Sequence, residues 1–564
     1  MFSKICFLIC LSTAFFKVNV WAQKNKKPQP LNEGMVTYAF KNNGKEVKER
    51  LLKLVFKNNI ACLFSGNNPK EQVGPFIDYQ QQETLQMLNN KEGNRYTLIT
   101  PFSNYEKANL TGETETILGY KCQKAKVFIR SNTIEIWFTN ELSIKGTPSL
   151  GIAPGLGLIL KMVRNGNFET YATKVELKDI ADFECKLPED RGILVADATY
   201  RRKEIDSRFL TIPVFHQQQI NFTDSIVNPS ENLENVTYRY AGGTIVMKKI
   251  KLPAKENYNV FANLTQYSNG DAYDRTGTVF IIPMDKKNSF LDGIQKGIKE
   301  LPVYKDKNGK EYQGVVATDN YLPALELMRF FTPFGVRAFN NNVKIEGYHW
   351  ADSVNYKQDI TDLLPAMQGE VWIGVFIGNY DRGGHTINLN FNYYPDKESK
   401  PKNSWVASIF NTLNILEMAG QTYATMFDND SLTVTVNIPE HLKSLTLRYI
   451  STGHGGWGGG DEFNKKDNEI FLDGEKIYSF IPWRTDCATY RMYNPSSGNF
   501  GDGLSSSDLS RSNWCPGTTT NSVYIPIKNI TPGKHTFKIA IPLGKTEGTS
   551  FSAWNISGVL IGEF

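Results

Sequence analysis

Apolar and polar residues alternate with period two over much of the chain. Gly34 to Phe40 and Thr133 to Thr139 alternate, and Leu445, Leu447 and Tyr449 do so around polar neighbours. Each pattern predicts a strand with one buried face. Gly243 to Leu252 entering Pro253, Thr276 to Pro283, Leu432 to Val436, His535 to Ile541 and Ser552 to Ile561 read as further strands. Asp473-Gly474 between Ile470–Leu472 and Glu475–Ile477 predicts a tight hairpin, because both central positions of the favoured two-residue turn need positive φ. Phe290 to Ile294, within the segment from Asp285 to Asn320, reads as one short surface helix. Trp405 to Ala424 is apolar with mixed period and reads as a linker plus a strand. The expectation is an all-β protein.

Length changes this picture first. At 564 residues a single core is excluded and two to four domains are expected. The charged stretch 186–208 reads as a connector, with 32–185 as a β-rich domain before it and sandwiches over 209–400 and 401–564 after it. Residues 1–23 carry Lys4, an apolar run from Ile5 to Phe16 and Ala22 near a cut, the layout of a secretory signal peptide. No later run of 18 apolar residues follows, which predicts a soluble, secreted or periplasmic protein with no membrane span. The formal net charge of +5 is too mild for a nucleic-acid binder. Of seven cysteines, Cys6 and Cys10 fall in the signal, leaving Cys62, Cys122, Cys185, Cys487 and Cys515. Export permits disulfides, and the odd count leaves at least one thiol unpaired within the chain. The six histidines are scattered, with no ligand-like spacing; no metal and no cofactor are expected.

Candidate chemistry concentrates between Leu445 and Gly517. The strand breaks into Thr452-Gly453-His454-Gly455-Gly456-Trp457-Gly458-Gly459-Gly460-Asp461-Glu462-Phe463, and Ser510-Arg511-Ser512-Asn513-Trp514-Cys515-Pro516-Gly517 closes the region. Glycines let backbone approach backbone or ligand closely, which sets a carboxylate pair and a Trp on one rim.

The order of Gly-rich loop, Glu, hairpin, Cys and Arg-x-x-Trp-Cys-Pro-Gly resembles the C-terminal half of the peptide-N-glycosidase F family, bacterial amidases that release whole glycans from asparagine. The rest of its pattern occurs upstream. Asp271-Ala272-Tyr273-Asp274-Arg275 is similar to the family's junction of acid, x, aromatic, Asp and Arg. Arg329-Phe330-Phe331-Thr332-Pro333 and Asp359-Ile360-Thr361-Asp362 resemble two further segments. The resemblance implies two jelly-roll β-sandwiches packed side by side. It implies Asp274 as principal acid/base and Glu462 ordering water and sugar. Tyr273, Arg275, Trp457, Arg511 and Trp514 are implied as substrate-binding, and Cys487–Cys515 as a disulfide. The family's further glutamate falls near Phe376, where no carboxylate stands; Asp381 is the nearest acid downstream. Residues 32–185, through Ala153-Pro154-Gly155-Leu156-Gly157-Leu158-Ile159-Leu160, resemble the exported GLPGLI family and contribute no matched catalytic residue.

The implied activity is hydrolysis of the glycosyl-asparagine amide in N-linked glycoproteins and glycopeptides by a monomeric enzyme. The alternative is a double sandwich that holds glycans without cutting them. A copper mono-oxygenase, a third possibility from the architecture, is disfavoured by the scattered histidines.

Overall fold

The computed structural model describes residues 32–48, 51–65, 75–90, 93–254, 257–396, 403–423, 426–427, 431–455, 460–498, 504–529, 531–543 and 552–564. The signal peptide expected over 1–23 lies outside the described residues, as does Trp457. The chain divides into two compact units, Met1–Ser207 and Arg208–Phe564.

In the first unit one sheet runs mostly antiparallel, and its first strand, Gly34–Asn42, pairs with Phe168–Leu177 near the far end of that unit. The alternation read from the sequence has a plain cause. In Leu52–Lys57, Leu54 and Phe56 enter one apolar cluster with Val36 and Tyr38, while Val55 on the opposite face enters another with Cys62 and Phe76. Residues 186–208, expected as a connector, are folded instead. Ile193–Leu194 adds a parallel edge strand against Arg95–Pro101, and Asp197–Arg208 is a helix. Its charges form pairs four residues apart, Arg201 with Asp197 and Arg202 with Asp206. The charge run is therefore a solvated helix face.

In the second unit, two β-sandwiches follow one another. The first packs a four-stranded sheet (Leu210–Ile220, His385–Pro395, Tyr258–Ser268, Val354–Asp359) on a six-stranded one containing Ile245–Leu252, Gly369–Ile377, Thr276–Ile282 and Leu325–Phe331. The second packs Ser404–Asn411, Ala553–Glu563, Ser444–His454 and Val523–Ile527 on Leu432–Ile438, Gly533–Ala540, Asn468–Leu472 and Glu475–Phe480. Asp473 and Gly474 have φ of 50° and 90°, as the predicted hairpin requires. In the mixed stretch after Trp405 the strand comes first, Ser404–Asn411, and a short 3-10 turn follows at Glu417–Ala419.

The six-stranded sheet is buried on both faces. Val246, Val279 and Leu327 face its own sandwich, while Met247, Phe280 and Trp372 face a second cluster with Leu413 and Leu416. The helix expected at the surface forms as Phe290–Lys296, but Phe290 and Leu291 are buried in that cluster. Within the same insertion, Tyr312 and Val315 enter the core of the second sandwich.

The strand Leu325–Phe331 ties the sandwiches together. It pairs with Thr519–Thr520 of the second sandwich. A register shift opposite Val279/Phe280 places Glu326 and Arg329 together, because the extra residue of a bulge resets the alternation of faces. Both are fully buried and bidentate, Nε to Oε1 at 3.0 Å and Nη2 to Oε2 at 2.8 Å. Arg329 Nη1 also donates to Thr452 Oγ1 (3.0 Å) and Asn555 O (2.6 Å), and Ser557 donates to Glu326. Arg448 reaches back from the second sandwich to the carbonyls of Glu326 and Leu327.

Candidate active site

Asp274 lies in the turn between Tyr258–Ser268 and Thr276–Ile282, and the backbone on either side of it is clamped. Ser268 Oγ donates to Asp271 O at 2.6 Å, and Ser496 Oγ, from the second sandwich, donates to Ala272 O at 3.0 Å. Thr332 Oγ1 donates to Tyr273 O (3.2 Å) and accepts from Arg275 N (2.7 Å), while Thr332 N donates to Arg275 O (2.9 Å). Short hydroxyl side chains thus do the work that a regular ladder would do elsewhere.

Asp271 anchors the same turn from inside. Its carboxylate accepts from Arg275 Nε (2.8 Å), Arg275 Nη2 (3.3 Å) and Tyr273 N (3.0 Å). Gln266 Nε2 faces His385 Nδ1 at 2.9 Å; since the amide donates, Nδ1 accepts and Nε2 carries the ring proton. That Nε2 faces Asp271 Oδ2 at 3.5 Å. Burial alone would raise the Asp271 carboxyl, but His385 and Arg275 outweigh it and hold it at about 2. Asp271 is therefore a fixed anion that orients Arg275.

Glu462 is presented by the glycine-rich loop of the second sandwich. The strand continues further than the sequence implied, through Thr452 and Gly453 to His454. A Cβ on Gly453 would stand 2.8 Å from Asp461 O and 2.8 Å from Ser512 Cβ, so the residue is glycine for lack of space. Ser512 Oγ donates to Asp461 O (2.6 Å), Ser512 N to Glu462 O (2.9 Å), and Trp554 Nε1 to Asp461 Oδ2 (2.7 Å). Asp461 of the Asp-Glu pair is thus buried and structural, and Glu462 remains for the rim.

Asp274 and Glu462 meet at one guanidinium. Arg511 Nη1 lies 2.5 Å from Glu462 Oε1 and 3.7 Å from Asp274 Oδ2, while Nη2 donates to Ser506 O at 2.6 Å. Arg511 is held in turn: its main chain pairs both ways with Arg484 (2.8 and 3.1 Å), and its guanidinium lies 4.7 Å from the Trp514 ring and 5.0 Å from Phe463. The Cys487–Cys515 bridge closes the segment, with Cα atoms 5.1 Å apart. Arg511 has no exposed side-chain surface, whereas Asp274 and Glu462 keep 17% and 16%. The carboxylates keep a solvent-facing edge and the cation backs them. Burial pushes the Asp274 carboxyl up to about 6 against the pull of Arg511. It pushes Glu462 up to about 7, Arg511 opposing and Asp274 adding to the rise. Neighbouring carboxyls spread in this way can hold and release a proton near neutrality.

The structure brings Asp274, Glu462, Arg511, Arg275 and Tyr273 together and assigns them different positions. Tyr273 is 62% exposed, with the Arg275 guanidinium 5.1 Å from its ring. Trp514, expected as a flat face for a sugar, is only 3% exposed. It stacks on Phe331 at 4.2 Å and donates Nε1 to Gly453 O at 2.9 Å, so it is a support for Arg511 and not a shelf. Arg511 likewise has no exposed side-chain surface, and its Nη atoms face Glu462 and Ser506, which favours holding carboxylates over contacting substrate. Phe376, at the position of the missing glutamate, is in the core, and Asp381 caps the amides of Gly383 and Gly384 (2.7 and 2.9 Å). Sequence reasoning missed Thr332, His385, Phe463 and Tyr380, the last exposed and 5.6 Å from the Arg275 guanidinium. Thr332 stood in a matched segment; His385 and Tyr380 carried no local signal. Among the described residues, the group with metal-like spacing is Asp486, Cys487 and Cys515, whose two sulfurs are bonded to each other.

Residues 211–393 match the family model for peptide-N-glycosidase F, N terminal, and residues 422–561 that for peptide-N-glycosidase F, C terminal. Residues 36–202 match a third, N-glycanase peptide, N-terminal domain. Two solved structures of PNGF-II, in C2 and P21 crystals, are each 45% identical with a TM-score of 0.84; they cover 94% of this chain and 98% and 99% of theirs. PNGase F, a glycosylasparaginase from Flavobacterium meningosepticum, is 15% identical over 63% of this chain and 96% of its own, with a TM-score of 0.41. No curated protein sequence matches.

Proposed function

Because the chain belongs to the peptide-N-glycosidase F family, we propose that it is an amidase that hydrolyses the bond between an N-linked glycan and its asparagine. The observation that carries this is the meeting of Asp274 and Glu462, from different sandwiches, on Arg511 Nη1. Amide hydrolysis forms a C–O bond from water, breaks the C–N bond and moves a proton from water to the leaving nitrogen. Asp274 in its carboxylate form takes that proton and passes it to the leaving nitrogen; its position in a clamped turn fixes the line of attack. Glu462, its carboxyl raised by burial and by the neighbouring Asp274, orders the water and the first sugar. Such positioned acids and bases contribute ~10²–10⁴-fold. Arg511 keeps both carboxylates in register, and Arg275, oriented by Asp271, has its free N–H groups for an acetamido or carbonyl oxygen. Tyr273 offers an exposed ring face to a sugar.

The reading of residues 1–23 as a secretory signal supports an exported enzyme, and the disulfide fits that compartment; no helix among the described residues is long and apolar enough to cross a membrane. The test is incubation with a denatured N-glycoprotein and mass analysis of the sequon. Conversion of Asn to Asp with release of intact glycan is expected. An unchanged Asn with glycan bound would leave the alternative, a glycan-binding double sandwich.

A further inference from the structure

The second sandwich carries a cavity of about 250 Å³ where its two edge strands meet the insertion of the first sandwich. Trp405, on the edge strand Ser404–Asn411, forms one wall, and Asn437 with Thr435, on the edge strand Leu432–Ile438, forms another. Asp285 and Asp319 of the insertion stand at the mouth, over an apolar floor that includes Ile409. Trp405 is half-buried, packed on the sandwich core and also lining the cavity.

This place is remote from the carboxylates described above. Trp405 is in register with Gly562, which is in register with Leu445; the Glu462 loop leaves the same strand beyond Gly453. From Leu445 to Gly453 is eight residues, roughly 26 Å at ~3.3 Å per residue.

The lining selects a class of ligand. An indole wall with an apolar floor suits the C–H face of a ring, while carboxylate, amide and hydroxyl groups around the mouth suit several hydroxyls in fixed directions. The volume lies below the ~300–1,000 Å³ of sites for drug-sized ligands, room for one ring and not for an extended chain. Two carboxylates, Asp285 and Asp319, against the single ammonium of Lys286 disfavour a phosphate, and a floor of apolar side chains disfavours a metal ion. We propose that this cavity is a second carbohydrate site, which takes one pyranose unit of a glycoprotein glycan. The proposal rests on the substrate class given above. The unit comes either from the glycan under cleavage or from another glycan on the same protein; in both cases the site tethers substrate while the distant carboxylates act.

The test uses the full chain, a free oligomannose oligosaccharide as the titrated probe, and two variants. Trp405→Ala removes the indole wall, and Asn437→Arg fills the mouth from an exposed position without touching the core. Expected is oligosaccharide binding weakened at least tenfold by both variants, with cleavage of a glycopeptide bearing only a chitobiosyl unit unchanged. Loss of turnover on a glycopeptide carrying one full oligomannose glycan identifies the same glycan as the source. Loss confined to a multiply glycosylated protein identifies a neighbouring one. Undiminished binding in a folded Asn437→Arg variant overturns the proposal, as does absence of binding to the wild type. Binding that is lost in the variants of a protein with no amidase activity would uphold the cavity and sink the amidase.

Discussion

Replacing Asp274 by Asn separates the cost of the site from its use. The carboxyl sits at about 6 against an ordinary value of 3.8. A carboxyl raised in the folded state binds its proton more tightly there than in the unfolded chain, so stability falls as pH rises from about 4 to about 6 and stays low above. Two pKa units correspond to at most about 3 kcal/mol. Asparagine keeps the shape and removes the ionisation. The variant is therefore expected to be more stable than wild type at pH 8, by up to ~3 kcal/mol, and no more stable at pH 4. Relief of Glu462 from its like-charged neighbour acts in the same direction. Urea unfolding at the two pH values, followed by tryptophan fluorescence, measures it. The signal reports mainly the second unit, which holds all but Trp21 and Trp137 of nine tryptophans. Glycan release should fall by ~10²-fold or more in the same protein. A variant that gains equally at pH 4 and pH 8, or loses stability at pH 8, refutes burial as the cause of the raised carboxyl. Near wild-type release refutes the catalytic assignment.

Wild-type kcat/KM should be bell-shaped in pH around neutrality, with limbs belonging to the carboxyl pair. Arg511→Lys, which cannot reach Ser506 and the carboxylates together, should lower the rate about 10²-fold and move the acid limb upward, checked by a pH–rate profile. Cys487→Ser with Cys515→Ser should cost roughly 3–4 kcal/mol for a 28-residue separation, read from urea midpoints; equal midpoints would show the loop to be fixed by Arg484 and Trp514 alone. A fragment 208–564 should fold, since it is a compact unit with its own cores, and should cleave a short glycopeptide. A folded but inactive fragment would assign part of the site to the first unit.

What the sequence disclosed follows from how local each feature is. Alternation at Gly34–Phe40 and Leu445–Tyr449 exposes a strand because one face is buried along its whole length. It fails at Leu325–Phe331, where every residue is buried, since a strand covered on both faces has no polar phase to read. The connector reading of 186–208 failed for a related reason. A helix with one buried residue, Tyr200, shows no apolar stripe, and charge alone does not distinguish linker from solvated helix. In the site, Asp274, Glu462 and Arg511 stood in motifs, so their proximity was legible. Their ranking was not: that Arg511 and Trp514 are buried supports while Tyr273 faces solvent depends on packing between segments far apart in the chain, such as Trp514 on Phe331. His385 reaches Asp271 across 114 residues, with no local pattern to announce it.

The arrangement also explains why two sandwiches are bound so tightly at one edge. Asp274 and Glu462 are held near each other with little water, and each loses stability at neutral pH on that account. Left on a yielding interface, they would separate and solvate. The strand Leu325–Phe331 prevents this at both ends. Within it Glu326 and Arg329 form a fully buried pair, which also takes a hydrogen bond from Thr278 of its own sandwich and reaches Thr452, Asn555 and Ser557 of the second. Past its end, Thr332 grips the Asp274 turn, and Phe331 stacks on Trp514 beneath Arg511. A buried ion pair adds little net stability compared with apolar residues, but breaking it by removing one partner costs about 3–5 kcal/mol. Its value lies in register: any slide of one sandwich on the other strands a charge. The same strand that carries the pair thus sets the spacing of the two carboxylates, and the register of the interface is the register of the site.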